Sequence, residues 1–291
     1  MRNRKPKPMH SVVCLKQVPD SAQIRIHPVT NTIMRQGVPT IINPYDLFAL
    51  EEALRLRDRF GGRVTVLTMG PPMAEAALRK ALAYGADAAV LMTDRLFAGS
   101  DTLATSFVLA SGIAKIAAEH PVDIVVAGKQ TIDGDTAQVG PGIASRMTLN
   151  QLTYVERIVE LDLGRRLIVV HRRSEGGVQV LATKLPCLIT MLEGANELRY
   201  ASMDDMFRAA RADIVTWSAA DAGIADVSKC GLRGSPTVVR KVFAPSPRTE
   251  NATPIDVAGK SPAEIADAVI ETLEIANQKL HDDLFLKARA G

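Results

Sequence analysis

The stretch of sequence that decides the fold is DIVVAGKQTIDGDTAQVGP, residues 123–141. Its first five residues form a short, mostly apolar run that predicts a buried strand. Small and polar residues follow, and Pro141 fits the first turn of a helix that begins between Asp135 and Gly140. The pattern is strand, loop, helix, which is the repeating unit of α/β proteins.

The same unit recurs upstream. We predict strands at residues 11–15, 64–68 and 88–92. We predict helices that open at Asn43-Pro44, with Asn43 as the N-cap, and that cover about 73–84 and 102–119. Apolar strands that alternate with helices indicate a parallel sheet covered on both faces. Ligands bind at the carboxyl ends of such strands, so a site is expected among the loops that begin at Lys16, Met69, Thr93 and Gly128.

The pattern changes after about residue 151. Residues 154–161, 166–173 and 178–181 alternate apolar and polar side chains, which predicts an antiparallel hairpin or meander. Residues 185–192 form an apolar run that predicts a further strand. The chain is irregular after about residue 218, and Ser261-Pro262 then open a last helix at about 263–280.

The sequence therefore predicts an α/β fold, a Rossmann-like parallel sheet flanked by helices, with an antiparallel hairpin addition and a C-terminal arm. We place the α/β domain at residues 1–240 and the arm at residues 241–291. The arm is too polar and irregular to form a second core, so we expect it to pack on a partner subunit.

Composition excludes several classes of protein. The net charge is only +3 and no basic patch interleaved with aromatic residues is present, which argues against nucleic acid as a partner. The N-terminus carries a basic cluster, which we interpret as a solvated tail: Arg2, Arg4, Lys5 and Lys7. We find neither a membrane span nor a signal peptide, and we expect a cytoplasmic protein. The three cysteines are too widely spaced for a disulfide framework, a zinc site or an iron–sulfur site.

The loop after residue 127 carries the densest signal for a binding site. Gly134 and Gly140 let a ligand approach the backbone, and the N–H groups at the helix start can hold a phosphate. Thr136 and Gln138 add neutral donors. Asp133 and Asp135 would repel phosphate, so we expect them to cap the helix or to bind ribose hydroxyls. From the residues alone, a nucleotide site and an ordinary loop with a helix cap both remain open.

No catalytic set is visible. The five histidines are scattered, and none lies near a plausible nucleophile or metal-ligand partner in the sequence: His10, His27, His120, His171 and His281. We therefore predict no catalytic residue and no metal site in this chain. Because the cysteines offer no metal cluster, an organic cofactor would have to carry any electrons.

Several segments together resemble the beta subunit of electron-transfer flavoproteins. The segments that carry the resemblance are VVCLKQVPD, NPYDLFALEEALRLRD, VTVLTMGPP, KALAYGADAAVL, GKQTIDGDTAQVGP, KLPCLIT and ANELRYAS. They run nearly continuously from Ser11 to about Arg240. The wording is most similar to the Fix-type branch associated with nitrogen fixation, above all in RRSEGG, LPCLITMLEGANELR and KCGLRGSPT.

This resemblance implies a cofactor. Housekeeping beta subunits hold a structural AMP, whereas electron-bifurcating ones hold a second FAD in its place, and DGDTAQVGP is similar to the bifurcating version. Cys14 and Met69 would line the adenine pocket, Asn43 to Asp46 would close over the adenosine, and residues 128–140 would hold ribose and phosphates. The implied cofactor-binding residues are Cys14, Asn43, Pro44, Tyr45, Asp46, Met69, Gly128, Lys129, Gln130, Asp133, Gly134, Asp135, Thr136, Ala137, Gln138, Val139 and Gly140.

The resemblance also implies partners. These are the electron-transfer flavoprotein alpha subunit, NADH as electron donor, a ferredoxin or flavodoxin, and a Fix-type quinone-linked dehydrogenase with its ferredoxin-like protein. In housekeeping members the segment matching residues 190–200 inserts a leucine into acyl-CoA dehydrogenases. The matching position here is Ala195, which implies a different electron acceptor. The implied partner-binding residues are Glu193, Gly194, Ala195, Asn196 and Glu197.

Two alternatives stay open at this point. One is a housekeeping carrier with structural AMP, and the other is a nucleotide-binding regulator, or an ATP-using enzyme, on the same fold. No ATP-hydrolysing loop or metal-holding acidic pair favours the second alternative.

Overall fold

The computed structural model describes residues 8–20, 25–26, 33–34, 39–237 and 254–277. The chain divides into two compact units, Met1–Ala244 and Pro245–Gly291. The strands are β1 Met9–Cys14, β2 Gln17–Pro19, β3 Arg25–Ile26, β4 Ile33–Met34, β5 Thr40–Ile42, β6 Gly62–Met69, β7 Ala88–Met92, β8 Ile124–Gly128, β9 Asn150–Asp162, β10 Leu167–Ser174, β11 Gly177–Lys184, β12 Cys187–Met191 and β13 Val215–Trp217. The helices are α1 Pro44–Phe60, α2 Glu75–Ala83, α3 Thr102–Glu119, α4 Val139–Arg146, α5 Met203–Arg211 and α6 Pro262–Ala276.

Nine strands of the first unit form one sheet in the order β11-β10-β9-β12-β8-β1-β6-β7-β13. All neighbours from β9 to β13 are parallel, and β10 pairs antiparallel with both β9 and β11. The predicted α/β fold, a mostly parallel sheet with an antiparallel addition, is therefore confirmed. The addition is continuous with the main sheet, because β9 joins both parts.

Alternate residues of the central strand enter two different cores. Val13 of β1 packs with residues of α1 and α2, whereas Val12 packs with residues of α3 and α4. Both side chains are completely buried. Burial on both faces requires a continuous apolar strand, and each fully buried aliphatic side chain contributes roughly 1.5–3 kcal/mol to folding. The helices therefore form two layers around the sheet.

The sequence patterns missed several elements. One is α5, whose first turn is capped by the Ser202 hydroxyl accepting the Asp205 N–H at 3.0 Å. Another is the edge strand β13, and two small antiparallel pairs, β2 with β5 and β3 with β4, were also missed. All these strands have two or three residues, which is too short for periodicity to show.

By length and composition, α3 is the one described helix that could span a membrane. Its capping residue Asp101 accepts the N–H groups of Leu103 and Ala104 at 2.9 and 3.0 Å. Val108 and Ile113 are completely buried in the core beside the sheet. The apolar character of α3 is thus accounted for by packing within the protein.

The second unit contains α6. Its N-terminus is a capping box, in which the Ser261 hydroxyl accepts the Glu264 N–H and the Glu264 carboxylate accepts the Ser261 N–H. The predicted start at Ser261-Pro262 is confirmed. The predicted end near residue 280, the basic cluster at residues 2–7, His27 and His281 lie outside the described residues.

Gly140 brings α4 against the sheet. A Cβ atom added at Gly140 would lie 2.7 Å from Cγ2 of Thr190 on β12, which is closer than real contacts allow. The Thr190 hydroxyl is also needed, because it accepts the Tyr154 N–H at 3.1 Å. Gly140 is therefore required for packing inside the protein itself.

We predict that Gly140→Ala lowers the free energy of unfolding by about 1–3 kcal/mol, because the added methyl overpacks this contact. Thr190→Ser removes Cγ2 and keeps the hydroxyl. The cost of Gly140→Ala should therefore be smaller in the Thr190→Ser background, measured by denaturant unfolding of the four variants of the cycle. An equal cost in both backgrounds would contradict this account.

Candidate functional site

The candidate site lies where the order of strands reverses. From β1 the chain builds outward through β6 and β7, and then returns to the other side of β1 through β8 and β12. In open α/β sheets the ligand crevice forms at the carboxyl ends of the strands at such a point. Cys14, Met69 and Gly128 lie at the carboxyl ends of β1, β6 and β8, which are neighbours in the sheet.

The first turn of α1 ties the loops of this site together. Both oxygens of the Asp46 carboxylate accept backbone N–H groups, from Lys16 after β1 at 2.7 Å and from Gly128 after β8 at 3.2 Å. Asn43 occupies the predicted N-cap position, but its side chain does not cap the helix. Its amide instead donates to the Gln130 carbonyl at 2.8 Å and accepts the Ile132 N–H at 3.2 Å.

Gly128 is held so close to α1 that no side chain fits. A Cβ atom there would lie 2.4 Å from Asp46 Oδ1 and 2.6 Å from the Tyr45 carbonyl carbon. Pro44 begins α1, and its fixed backbone angle suits the first helical position. The strand end and the helix start are therefore in direct backbone contact.

The two loop aspartates have partners of their own. Asp133 forms an ion pair with Lys16 Nζ at 2.7 Å, and Asp135 accepts a hydrogen bond from Gln130 Nε2 at 2.8 Å. Burial opposes ionisation of Asp133, but hydrogen bonds from Lys16 and Thr131 lower its pKa overall. Neither aspartate caps α4, because the cap position is Gln138, so that expectation is wrong. A ribose contact for the two aspartates stays a prediction.

Free backbone donors converge after the aspartates. In the part of the chain that the structure describes, the N–H groups of Ala137, Gln138, Val139 and Gly140 have no acceptor. Ala137 has a φ of 54° and Gln138 follows in the right-handed region, an arrangement that turns successive N–H groups to one side. With the positive end of the α4 dipole, this is a fitting place for a phosphate or pyrophosphate.

Of the side chains near these backbone donors, one is already hydrogen-bonded within the protein and one is not. Gln138 Oε1 accepts the Thr102 hydroxyl at 2.8 Å, which links α3 to the start of α4. The exposed Thr136 hydroxyl has no partner among the described residues, so it can still donate to a ligand. Gly134 also remains open, because a Cβ there would meet only Thr131 Oγ1 at 3.5 Å.

A cation lies beside the site between two tyrosine rings. Lys129 Nζ is 5.3 Å from the Tyr45 ring centroid, 5.8 Å from the Tyr154 centroid and 3.7 Å from a Glu193 carboxylate oxygen. Tyr154 has a φ of 59° at a bulge in β9, which is unusual for a bulky residue. The scattered tyrosines of the sequence are thus partly brought together by the fold.

Burial shifts the pKa values of the groups under the site. It raises the pKa of Asp46 to about 7 and that of Cys14 to about 12, the nearby Asp46 charge adding to the effect on Cys14. Cys14, Cys187 and Cys230 are all buried and free of disulfides. Within the described residues, no group of three or more His, Cys, Asp or Glu side chains could hold a metal ion.

The predicted partner-binding residues, 193–197, are bonded to α1 and include no large apolar side chain. Asn196 is buried and donates to the Phe48 carbonyl at 3.0 Å, and Ala195 packs against the core. The Glu197 carbonyl accepts from Arg55 at 3.2 Å. Glu193 and Gly194 are exposed, and Tyr200 just beyond them is 99% exposed.

Lys16 is the site residue that the sequence reasoning did not assign. Its loop was marked by the strand-end rule, but its ion pair with Asp133 joins residues 117 positions apart. Only the fold brings these two groups together.

The comparisons with known proteins agree with this architecture. The model of the electron transfer flavoprotein domain matches residues 30–222. The chain is 67% identical over 282 residues to Protein FixA of Azorhizobium caulinodans, covering 97% of this chain and 99% of that protein. It is 62% identical over 280 residues to Protein FixA of Azotobacter vinelandii, covering 96% and 100%. It is 51% identical over 233 residues to the electron transfer flavoprotein subunit beta of Clostridium acetobutylicum, covering 80% and 87%.

The chain therefore belongs to the electron transfer flavoprotein family. Within that family its nearly full-length similarity is to FixA proteins, with beta subunits at about half identity. The resemblance drawn from the sequence segments is confirmed.

Proposed function

We propose that this chain is the beta subunit of an electron-bifurcating electron-transfer flavoprotein and that it binds FAD at the carboxyl ends of β1, β6 and β8. The observation that carries the proposal is the run of four unpaired N–H groups from Ala137 to Gly140 at the start of α4. A pyrophosphate needs several convergent donors and close backbone approach, and this loop offers both.

The charges around the loop are partly balanced. Lys16 balances the charge of Asp133, whereas Asp135 accepts a hydrogen bond from the neutral Gln130 amide and keeps its charge. The backbone donors would therefore hold a phosphate beside one carboxylate that has no cation partner. Cys14 and Met69, at the neighbouring strand ends, would line the adenine pocket.

The proposed chemistry belongs to the cofactor. FAD held by the N–H groups of residues 137–140 would supply hydride-accepting and one-electron chemistry with NADH as the donor, while this chain binds, orients and shields the cofactor. One electron would go to a ferredoxin or flavodoxin. The other would pass through the alpha subunit to a Fix-type quinone-linked dehydrogenase with its ferredoxin-like protein. We place this heterodimer in the cytoplasm, in the supply of electrons for nitrogen fixation.

We predict that Gly134→Val removes FAD from this subunit and spares the flavin of the alpha subunit. A Cβ atom at Gly134 makes only an ordinary contact with Thr131 Oγ1 at 3.5 Å, so we expect a loss of FAD to report crowding of the ligand. Gly164→Val, in the turn between β9 and β10, is the matched control and should keep its flavin. The measurement is FAD and AMP content per heterodimer by extraction and chromatography.

Cofactor counting of the unmodified heterodimer decides between the two members of the family. Two FAD and no AMP agree with the bifurcating proposal. One FAD and one AMP would refute it and leave the housekeeping carrier.

The arm at residues 241–291 is proposed to pack on the alpha subunit. Ile270 and Leu273 lie one turn apart on α6 and are 50% and 51% exposed. We predict that Ile270→Asp combined with Leu273→Asp weakens heterodimer association at least about tenfold, because apolar anchors carry most of an interface's energy. Glu271→Gln on the same helix is the control. Unchanged affinity by analytical ultracentrifugation would show that the arm does not contribute.

Ala195 predicts weak coupling to acyl-CoA dehydrogenases. Its side chain is small and packs against the core, so it cannot serve as the large apolar anchor that interfaces usually need. Electron transfer from such a dehydrogenase to the heterodimer should therefore be inefficient, measured beside a housekeeping flavoprotein as positive control. Efficient turnover at low micromolar concentration would show that the inference from Ala195 is wrong.

A further inference from the structure

We infer that Asn43 and Asp46 form a loop clasp, a pair of positioning side chains that hold the two phosphate-side loops in their binding geometry. The inference rests on the proposed nucleotide site. It differs from the resemblance in one respect: the two side chains bond backbone groups of the protein and do not contact the ligand. The loop clasp joins three segments: the start of α1, the turn after β1 and the loop after β8.

Every polar atom of the clasp is already committed. Asp46 uses both carboxylate oxygens, at 2.7 Å from the Lys16 nitrogen and 3.2 Å from the Gly128 nitrogen. Asn43 uses its amide nitrogen for the Gln130 carbonyl and its oxygen for the Ile132 N–H. Both side chains are buried. Each of these atoms could make a further hydrogen bond, but the two side chains are only 0% and 4% exposed, so burial leaves a ligand little access to them.

The clasp acts on the residues that lead into the free donors. Gly128, Gln130 and Ile132 are fixed by it at alternate positions along the loop. Lys16, whose backbone is fixed by Asp46, holds Asp133 through its ammonium group. The entrance to the loop is therefore ordered before any ligand binds, which reduces the ordering cost of binding.

Ionisation of Asp46 should govern how firmly the clasp holds. Burial raises its pKa to about 7, although the hydrogen bonds from the Lys16 and Gly128 N–H groups favour the ionised form. The titratable groups that face Asp46 are Lys16 and Cys14, and Asp133 reaches it only through Lys16. The ionised carboxylate accepts both N–H groups fully, whereas a protonated oxygen is a poorer acceptor.

Two opposite pH dependences follow. Ligand affinity should rise as the pH rises through about 7, because the clasp then becomes fully ionised. The contribution of Asp46 to folding stability changes in the opposite direction. Its pKa is raised on folding, so Asp46 stabilises the folded protein at low pH. That contribution is lost as the pH rises through the folded pKa.

The experiment compares Asp46→Asn with the unmodified chain in the purified heterodimer. Asparagine keeps the shape but turns an N–H donor toward one of the two backbone N–H groups, so one bond is lost. FAD affinity of the nucleotide-free heterodimer is measured between about pH 6 and about pH 8. FAD is the suitable probe because its pyrophosphate lacks the second phosphate ionisation near 6. We expect at least about tenfold weaker binding at high pH and a flat pH profile.

Glu52→Gln is the matched control. Glu52 lies on the same helix, and burial also raises its pKa, but it accepts from Asn196, away from the loops of the site. It should keep the unmodified pH profile. If Asp46→Asn fails to fold, Asn43→Asp tests the same clasp by placing an oxygen against the Gln130 carbonyl.

Hydrogen exchange tests the loop clasp independently of which nucleotide the site binds. In the nucleotide-free heterodimer, peptides containing Lys16 and Gly128 should exchange faster in Asp46→Asn, whichever nucleotide the native site holds. If AMP is found in place of FAD, the proposed function fails, and faster exchange with weaker AMP binding still supports the clasp. The clasp would be overturned if Asp46→Asn exchanged as slowly as the unmodified chain, or if its FAD affinity and pH profile were unchanged.

Discussion

The contact between the first turn of α1 and the carboxyl ends of β1 and β8 organises the rest of the site. Asp46 accepts backbone N–H groups from both strand ends, and Gly128 lies so close to it that a methyl group is excluded. A buried carboxylate is costly unless its oxygens are bonded, so the arrangement is stable only while all three segments stay together. Asn43 extends the contact as far as Ile132, while the start of α4 is held by Gly140 against Thr190 and by the bond between Gln138 and Thr102.

Much of the fold was predictable from patterns of apolar residues. The bounds of β7 and α3 agree with the prediction, and those of β1, β6, β8 and β12 differ by one or two residues at each end. Burial on both faces gives parallel strands a continuous apolar sequence, so the pattern is strong there. Among the elements that were missed, α5 has nine residues and buries only Ala209, and β13 pairs with β7 over three residues at the sheet edge. Such short elements are hard to recognise from the sequence.

The site was predictable as a set of loops but not as a set of contacts. The loops that begin at Lys16 and Gly128 were predicted because each follows the carboxyl end of a strand, where ligands bind in parallel sheets. That prediction needs only the strand positions and the chain direction. The partners of Asn43, Asp46 and Asp133 lie between 30 and 117 positions away in the sequence, so local chemistry could suggest only a cap. The sequence also could not distinguish the roles of the two glycines. Gly140 packs on Thr190, whereas a Cβ atom at Gly134 would meet only Thr131 Oγ1 at 3.5 Å.

The pairing of β8 with β12 has a mechanical consequence. The Lys129 N–H donates to the Met191 carbonyl at 2.9 Å, so the loop that follows β8 and the segment that follows β12 leave the sheet from one shared rung. Neighbouring strands are only about 4.8 Å apart, and a packed sheet resists shear. Pulling residues 193–197 outward would load the same rung that anchors residues 128–134. A force applied at residues 193–197 would therefore be transmitted to residues 128–134 without any rearrangement of the domain core.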